Sequence, residues 1–206
     1  FIENTGFELA NIVNPNISNL PSPYLLKGVN ESVERIINAI LNKEKIGILT
    51  DYDVDGITSH AIIYCALTEY FLVDKELVSN HIGHRLKDGY GVSVGLANKI
   101  LDLDDALLPK IIITADCGSS DEANISRLKQ RGVDVIVTDH HMIPLEGVPK
   151  SAYCTVNPTQ SGCKYPSKVI AGCMVSWLVM AAERSSLEKD YVEYKNTAKL
   201  SKLLDF

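Results

Sequence analysis

The sequence predicts an α/β domain: a mostly parallel sheet with helices on both faces. Three observations predict it. Short runs rich in Val, Ile and Thr alternate with longer stretches of helical periodicity, the mark of successive βαβ units. The strand runs are apolar from end to end instead of alternating, as expected for strands covered on both faces. Three of them finish in an acidic motif, and an open parallel sheet gathers its ligand-binding residues at the carboxyl ends of its strands.

Residues 1–30, with Pro15, Pro21, Pro23 and many Asn, read as an irregular lead-in. Val33, Ile36, Ile37, Ile40 and Leu41 then recur at helical spacing, with Asn30 as the cap and Glu31 and Glu34 in the first turn. Strands are expected over 45–50, 77–82, 110–115 and 133–138, with a short fifth near 152–156. Helices are expected between them over 57–72, 93–101 and 120–131. Ser120, Asp121 and Glu122 suit the start of the last helix, and Gly132 suits its end. From about 169 the pattern is helical, closing in a mixed-charge stretch suited to a solvated face. There is no internal repeat and no low-complexity segment.

Composition narrows the function. At 206 residues, 46% hydrophobic and 22% charged, the chain is long enough for one globular domain and rules out a disordered tail or a disulfide-stapled miniprotein. With 20 basic against 26 acidic residues the net charge is −6, which disfavours a whole-surface electrostatic grip on nucleic acid but permits a local basic groove. Five cysteines, with no C-x-x-C pair, argue against a disulfide framework or cysteine zinc site and point to a reducing, cytoplasmic compartment. The longest apolar stretches, 57–72 and 169–182, are interrupted or too short for a bilayer, and no signal peptide opens the chain. It begins at Phe1 without methionine and stops at Leu204-Asp205-Phe206 inside an apolar run, which predicts a piece of a longer protein.

The chemistry sits at the strand ends. The first strand runs into Asp51-Tyr52-Asp53-Val54-Asp55-Gly56, the third into Asp116-Cys117-Gly118, and the fourth into Asp139-His140-His141. Five aspartates and two histidines would thus meet at one edge, with no Lys or Arg inside the motifs. So many carboxylates repel one another unless a cation is bound among them. Carboxylates with imidazole and no thiolate favour Mn²⁺ over Mg²⁺, and there are ligands enough for two ions sharing a carboxylate. Asp and Gly are also ordinary turn residues, and Asp51–Gly56 imitates the opening of an EF-hand loop. That loop needs an acidic twelfth residue, here Ile62, and a preceding helix instead of a strand. Three acidic strand ends in register with a His-His pair are not explained as turns.

Asp51-Tyr-Asp-Val-Asp-Gly-Ile-Thr-Ser, Arg85-Leu-Lys-Asp-Gly-Tyr-Gly, Thr114-Ala-Asp-Cys-Gly and Val137-Thr-Asp-His-His resemble the signature series of the DHH phosphoesterase superfamily. The version here is similar to that of the RecJ single-stranded-DNA exonucleases. Asn157-Pro158, Cys163-Lys-Tyr-Pro-Ser-Lys168 and Ala171-Gly172 extend the likeness from about Leu20 to Phe206. The resemblance implies a 5′-to-3′ exonuclease on single-stranded DNA in repair and recombination, attacking in line with a metal-activated water. It implies Mn²⁺, with Mg²⁺ as the other acceptable ion, two ions in the complete protein, and a single-strand-binding protein or helicase as partner. Carried over, Asp53, Asp55, Asp116 and His140 would be metal ligands, Asp116 as a bridge, with Asp51 a further ligand or a neighbour of one. Asp139 would orient a histidine and His141 would face the scissile phosphate. Arg85, with Gly89 and Tyr90 of the loop that follows, would hold substrate, and Tyr165 and Lys168 are further candidates to approach DNA. His81 and His84 read as ordinary loop or edge residues.

The resemblance makes 31–206 the catalytic domain. A further aspartate of the family pattern and the DHH-associated domain would lie beyond Phe206, so a feeble isolated fragment is expected. DHH relatives also include phosphodiesterases for short oligonucleotides or cyclic dinucleotides, a manganese pyrophosphatase, and non-catalytic replication scaffolds. The phosphodiesterases and the pyrophosphatase place His and Asn-Pro ahead of the first D-x-D pair, where this chain has Ile48-Leu49-Thr50. The scaffolds lack the ligands that are present here.

Overall fold

A computed structural model describes residues 16–195 and 199–204. Pro15 and the first half of the predicted lead-in, and Asp205 and Phe206 at the other end, lie outside the described residues. The order of elements is α1 (Val29–Leu41), β1 (Ile46–Thr50), α2 (Val54–Cys65), β2 (Val78–Ile82), α3 (Val94–Leu101), β3 (Ile111–Ala115), α4 (Glu122–Gln130), β4 (Asp134–Thr138), β5 (Cys154–Val156) and α5 (Gly172–Asp190). The strands form one parallel sheet in the order β2-β1-β3-β4-β5.

Within the central strands successive residues go to opposite faces, and both faces are apolar. Ile46, Ile48, Ile111, Ile113 and Ile136 face a core built with α1, α2 and α5. Leu49, Ile112, Val135 and Val137 face a second core built with α3 and α4. Hence β1 and β3 are buried at every position, the continuous apolar signature of a doubly covered strand. β2 departs from the expectation of strands apolar from end to end. Its sequence, Val-Ser-Asn-His-Ile, is polar and partly exposed because it is the sheet edge, where only one neighbour and part of each face need covering.

Three helix boundaries differ from the pattern in the sequence. α1 starts at Val29, and its cap is Gly28, not Asn30. Gly28 has φ +89°, and a Cβ there would sit 2.2 Å from the Thr155 carbonyl oxygen, so close approach of backbone to β5 fixes the start. α2 starts at Val54, because the Asp53 side chain accepts the Gly56 amide at 2.9 Å and caps it. It ends at Cys65, and the run to 72 continues as a wider turn over Ala66–Tyr70, closing with the Phe71 amide on the Ala66 carbonyl. α4 runs over Glu122–Gln130, inside the expected 120–131, with Asp121 at its N-terminal boundary.

The sheet places the chemistry. The chain leaves β1 for β2 on one side, then returns for β3 on the other, so β1 and β3 flank the point where strand order reverses, the usual crevice for a ligand. Hydrogen bonds continue beyond the strands: the Asp116 amide donates to the Thr138 carbonyl, the Asp139 amide to the Val156 carbonyl and the Gly83 amide to the Thr50 carbonyl. The acidic motifs therefore leave the sheet in register.

Candidate metal centre

Asp51 directly follows β1 and is 1% exposed, yet neither of its carboxylate oxygens has a hydrogen-bond partner among the described residues. A Cβ on Gly56 would fall 1.9 Å from Asp51 Oδ1, so the first turn of α2 closes over this carboxylate because residue 56 has no side chain. Asp116 follows β3 in the left-handed region (φ +64°), a conformation that costs energy for any residue but glycine and is enforced here by the surrounding turn. Thr114 Oγ1 donates to the Cys117 carbonyl at 2.6 Å to close that turn. Asp116 is also 1% exposed, and its Oδ1 lies 3.1 Å from His140 Nε2 without the angle of a hydrogen bond.

Two overlapping groups result. Asp51, Asp53 and Asp116 each present an oxygen, and Asp116, His140 and His141 each present an atom, with the members of each group within 4.8 Å of one another. Asp116 belongs to both. Asp55 stands beside them, its Oδ2 3.6 Å from His140 Nε2. It is held from afar: the amides of Gly172 and Cys173 at the start of α5 donate to Asp55 at 2.8 and 2.7 Å. Asp139 does not point at the cluster. It accepts the amides of Ser119, His140 and His141 and faces His141 Nδ1 at 2.7 Å, so it fixes the turn and the ring together.

The loop residues divide. The Tyr90 hydroxyl comes within 3.2 Å of both His141 ring nitrogens and donates to the Asp116 carbonyl at 3.4 Å. Gly89, at φ +85°, shapes the turn before it. Arg85 is exposed, with its guanidinium carbon 5.6 Å from the centre of the Tyr52 ring, at the rim of the cluster and outside it. Tyr165 is buried in the core and Lys168 donates to the Cys163 carbonyl. His81 pairs with Ser79 at 2.9 Å, and burial pulls its ring down to about 4. Two participants carry no acidic signal in the sequence. Asn157 donates to Ser119 Oγ and to the His141 carbonyl at 3.0 and 2.9 Å. Gly172 leaves the room that Asp116 occupies, since a Cβ there would be 2.2 Å from Asp116 Oδ1. Asn157 follows the fifth strand directly, so the signal that marked the other motifs, polar residues just beyond a strand end, could have found it. Both Asn157-Pro158 and Ala171-Gly172 belong to the motifs that carry the family resemblance, but without a role assigned to either.

The electrostatics follow from burial and crowding. Burial, then Asp53, raises the Asp51 carboxyl to about 6. Burial, then Asp55, raises Asp116 to about 8. Burial also works against the Asp139 charge, but donors from His141 and Ser119 outweigh it and hold the carboxyl below its ordinary value. The hydrogen bond to Asp139 lifts His141 to about 9. These carboxylates cannot all ionise side by side unaided. Their unpartnered buried oxygens, next to imidazole nitrogens and with no thiolate among them, fit a hard divalent cation.

The profile of the DHH family, N-terminal domain, matches residues 45–204. The chain is 33% identical to the single-stranded-DNA-specific exonuclease RecJ of Escherichia coli over 183 residues, 87% of this chain and 30% of that protein. It is 34% identical to the Bacillus subtilis protein of the same description over 171 residues, 83% of this chain and 20% of that one. A crystal structure of exonuclease RecJ bound to manganese superposes with a TM-score of 0.67 at 30% identity, covering 79% of this chain and 38% of that one. The Thermus thermophilus RecJ in complex with Mn²⁺ gives a TM-score of 0.63 at 26% identity, covering 85% of this chain and 23% of that one. The chain thus spans between 20% and 38% of these relatives. Sheet order, acidic strand ends and profile agree: this chain belongs to the DHH family.

Proposed function

We propose that this chain is the catalytic domain, over 31–206, of a Mn²⁺-dependent exonuclease that removes nucleotides from single-stranded DNA in the 5′-to-3′ direction, in repair and recombination. The observation that carries the reading is the convergence of Asp51, Asp53, Asp55, Asp116 and His140 where strand order reverses, with buried carboxylate oxygens left unpartnered. Asp51, Asp53, Asp116, Asp55 and His140 would hold the metal, and Asp116, common to both groups, would bridge two ions. Divalent ions held there would supply an activated water and charge stabilisation for the departing oxygen. The chain's own residues do the rest. His141, kept protonated by Asp139, presents a positive ring towards a phosphate oxygen, and Tyr90 sets the position of that ring. Arg85 is free at the rim to meet a phosphate farther along the strand, and Gly89 lets the loop turn back under it.

Among the described residues no helix is long and apolar enough to cross a membrane. The relatives' description as single-stranded-DNA-specific exonucleases supports single-stranded DNA as substrate, and a single-strand-binding protein or helicase would be the partner that delivers it.

A calorimetric Mn²⁺ titration, with Asp116→Ala alongside, tests the centre. We expect binding in the parent chain and its loss in the variant. Equal binding in both would overturn the ligand assignment. A strand-degradation assay with 5′- and 3′-labelled single strands then tests direction, and release from the 3′ end would refute the polarity.

A further inference from the structure

Between β2 and α3 the chain makes an exposed excursion, and side chains outside the acidic cluster hold it. Asp121 stands at the N-terminal boundary of α4, where an aspartate ordinarily accepts an amide of its own helix. Here it makes no such cap. Its Oδ2 instead accepts the Val92 amide at 2.8 Å, and Asn124, on the same helix, donates to the Val92 carbonyl at 2.8 Å. Both polar groups of one buried loop residue are thus satisfied by α4. Gly91 is wedged beside them: its φ is +70°, and a Cβ would lie 2.5 Å from Asp121 Oδ2. At the other end of the loop, Asp88 accepts the His84 amide at 3.0 Å and pairs with Lys99 of α3 at 2.7 Å. Tyr90 lies between the two anchors, and Asp121 belongs to the turn that also carries Asp116.

We infer that Asp121 and Asn124 are positioning residues that fix the Tyr90 hydroxyl against His141 and the Asp116 carbonyl, so that the loop meets its substrate already formed. The inference rests on the exonuclease reading above. Neither residue touches the acidic cluster or needs to touch a nucleotide. Their contribution passes through the Val92 peptide and the glycine beside it. Because Tyr90 adjoins the rim where Arg85 projects, the same clamp sets the spacing between the phosphate nearest His141 and the next phosphate of the strand.

The test is a double-mutant cycle under single-turnover conditions, with the 206-residue chain in excess over a 5′-phosphorylated oligodeoxythymidylate in Mn²⁺. Tyr90→Phe and Asp121→Ala should each lower the rate by about tenfold, the scale of one lost hydrogen bond. The double variant should be no more than about twofold slower than the worse single one. Asp121→Asn keeps an oxygen for the Val92 amide and should recover to within about threefold of the parent, a rescue that a merely structural role for the charge would not give. Asn124→Ala, which leaves the start of α4 untouched, should show the same coupling to Tyr90→Phe and covers the case in which Asp121→Ala does not fold. Mn²⁺ affinity should stay at the parent value throughout. Fully additive losses, or a parent-like rate in Asp121→Ala, would overturn the clamp. A chain that binds Mn²⁺ yet cuts no strand even when extended past Phe206 would overturn the exonuclease reading instead. The clamp is then judged by hydrogen exchange at the Val92 amide, where unchanged protection in Asp121→Ala refutes it and faster exchange upholds it.

Discussion

Asp51 and Asp116 show how a site can work against the fold that carries it. Each has a carboxyl whose value in the folded protein, about 6 and about 8, exceeds the ordinary 3.8. A raised carboxyl adds stability that is complete below 3.8 and is lost as pH rises through the folded value. His141, lifted from 6.5 to about 9, adds stability that is lost as pH rises through about 9, so the sign is the same. Glu183, fully buried in α5 with both oxygens unpartnered, is also held neutral by burial and pulls in the same direction. Asp139, held low, loses its contribution only in acid. Without divalent ions the melting temperature should therefore fall steadily from about pH 4 to pH 8, and Asp116→Asn should flatten the upper half of that fall. With saturating Mn²⁺ the slope should reverse, because the ligands must be deprotonated to bind. Thermal melts across that range with and without Mn²⁺ check both, and a slope unmoved by the ion would contradict them. The aspartates were legible in the sequence because each follows a strand run. Glu183 was not: it lies in what reads as a mixed-charge, solvated stretch, and only the packing of α5 shows it buried.

At the scale of the element, the strands were legible almost to the residue, since apolar runs of five admit few registers once both faces are covered. Helix starts were less so. α1 begins where Gly28 passes under Thr155, and α5 begins where Gly172 passes beside Asp116; both are tertiary contacts, which capping and periodicity do not encode. The start of α5, marked in the sequence only as the Ala171-Gly172 motif, takes its role in the centre from packing. It brings two backbone amides to Asp55 and an absent side chain to Asp116. Gly172→Ala should therefore lower Mn²⁺ affinity by at least about tenfold, the scale of effects from groups just behind metal ligands. The helix itself should tolerate the change, since alanine is the better helix former. Calorimetry beside far-ultraviolet circular dichroism separates the two effects. Intact affinity would mean that Asp116 can move aside.

Over the whole molecule, the most exposed apolar side chains gather on one edge. Val54, Leu86, Met142, Leu145 and Val169 are each more than 80% exposed, and all lie in the segments that follow strands at their carboxyl ends. They come from four separate segments, Met142 and Leu145 sharing the one between β4 and β5, so the local sequence gives no hint that they share an edge. Apolar side chains gathered on one edge lower solubility without contributing to the core. The triple substitution Leu86→Gln, Met142→Gln, Leu145→Gln should raise solubility while shifting stability by no more than about 0.5 kcal/mol per site. Static light scattering and urea denaturation would show it, and a large loss of stability would mean that these side chains are packed in solution.

The bond between Asp55 and the first amides of α5 joins parts of the chain 117 and 118 residues apart. It is a circuit that closes late, because bringing such distant segments together carries the entropy of a long loop. Until α5 docks, Asp55 is unanchored and Asp116 lacks the wall that Gly172 provides, so half-folded chains have no complete centre to load. Ion capture thus comes after assembly and acts as a latch: it lengthens the lifetime of the finished fold without hastening its formation.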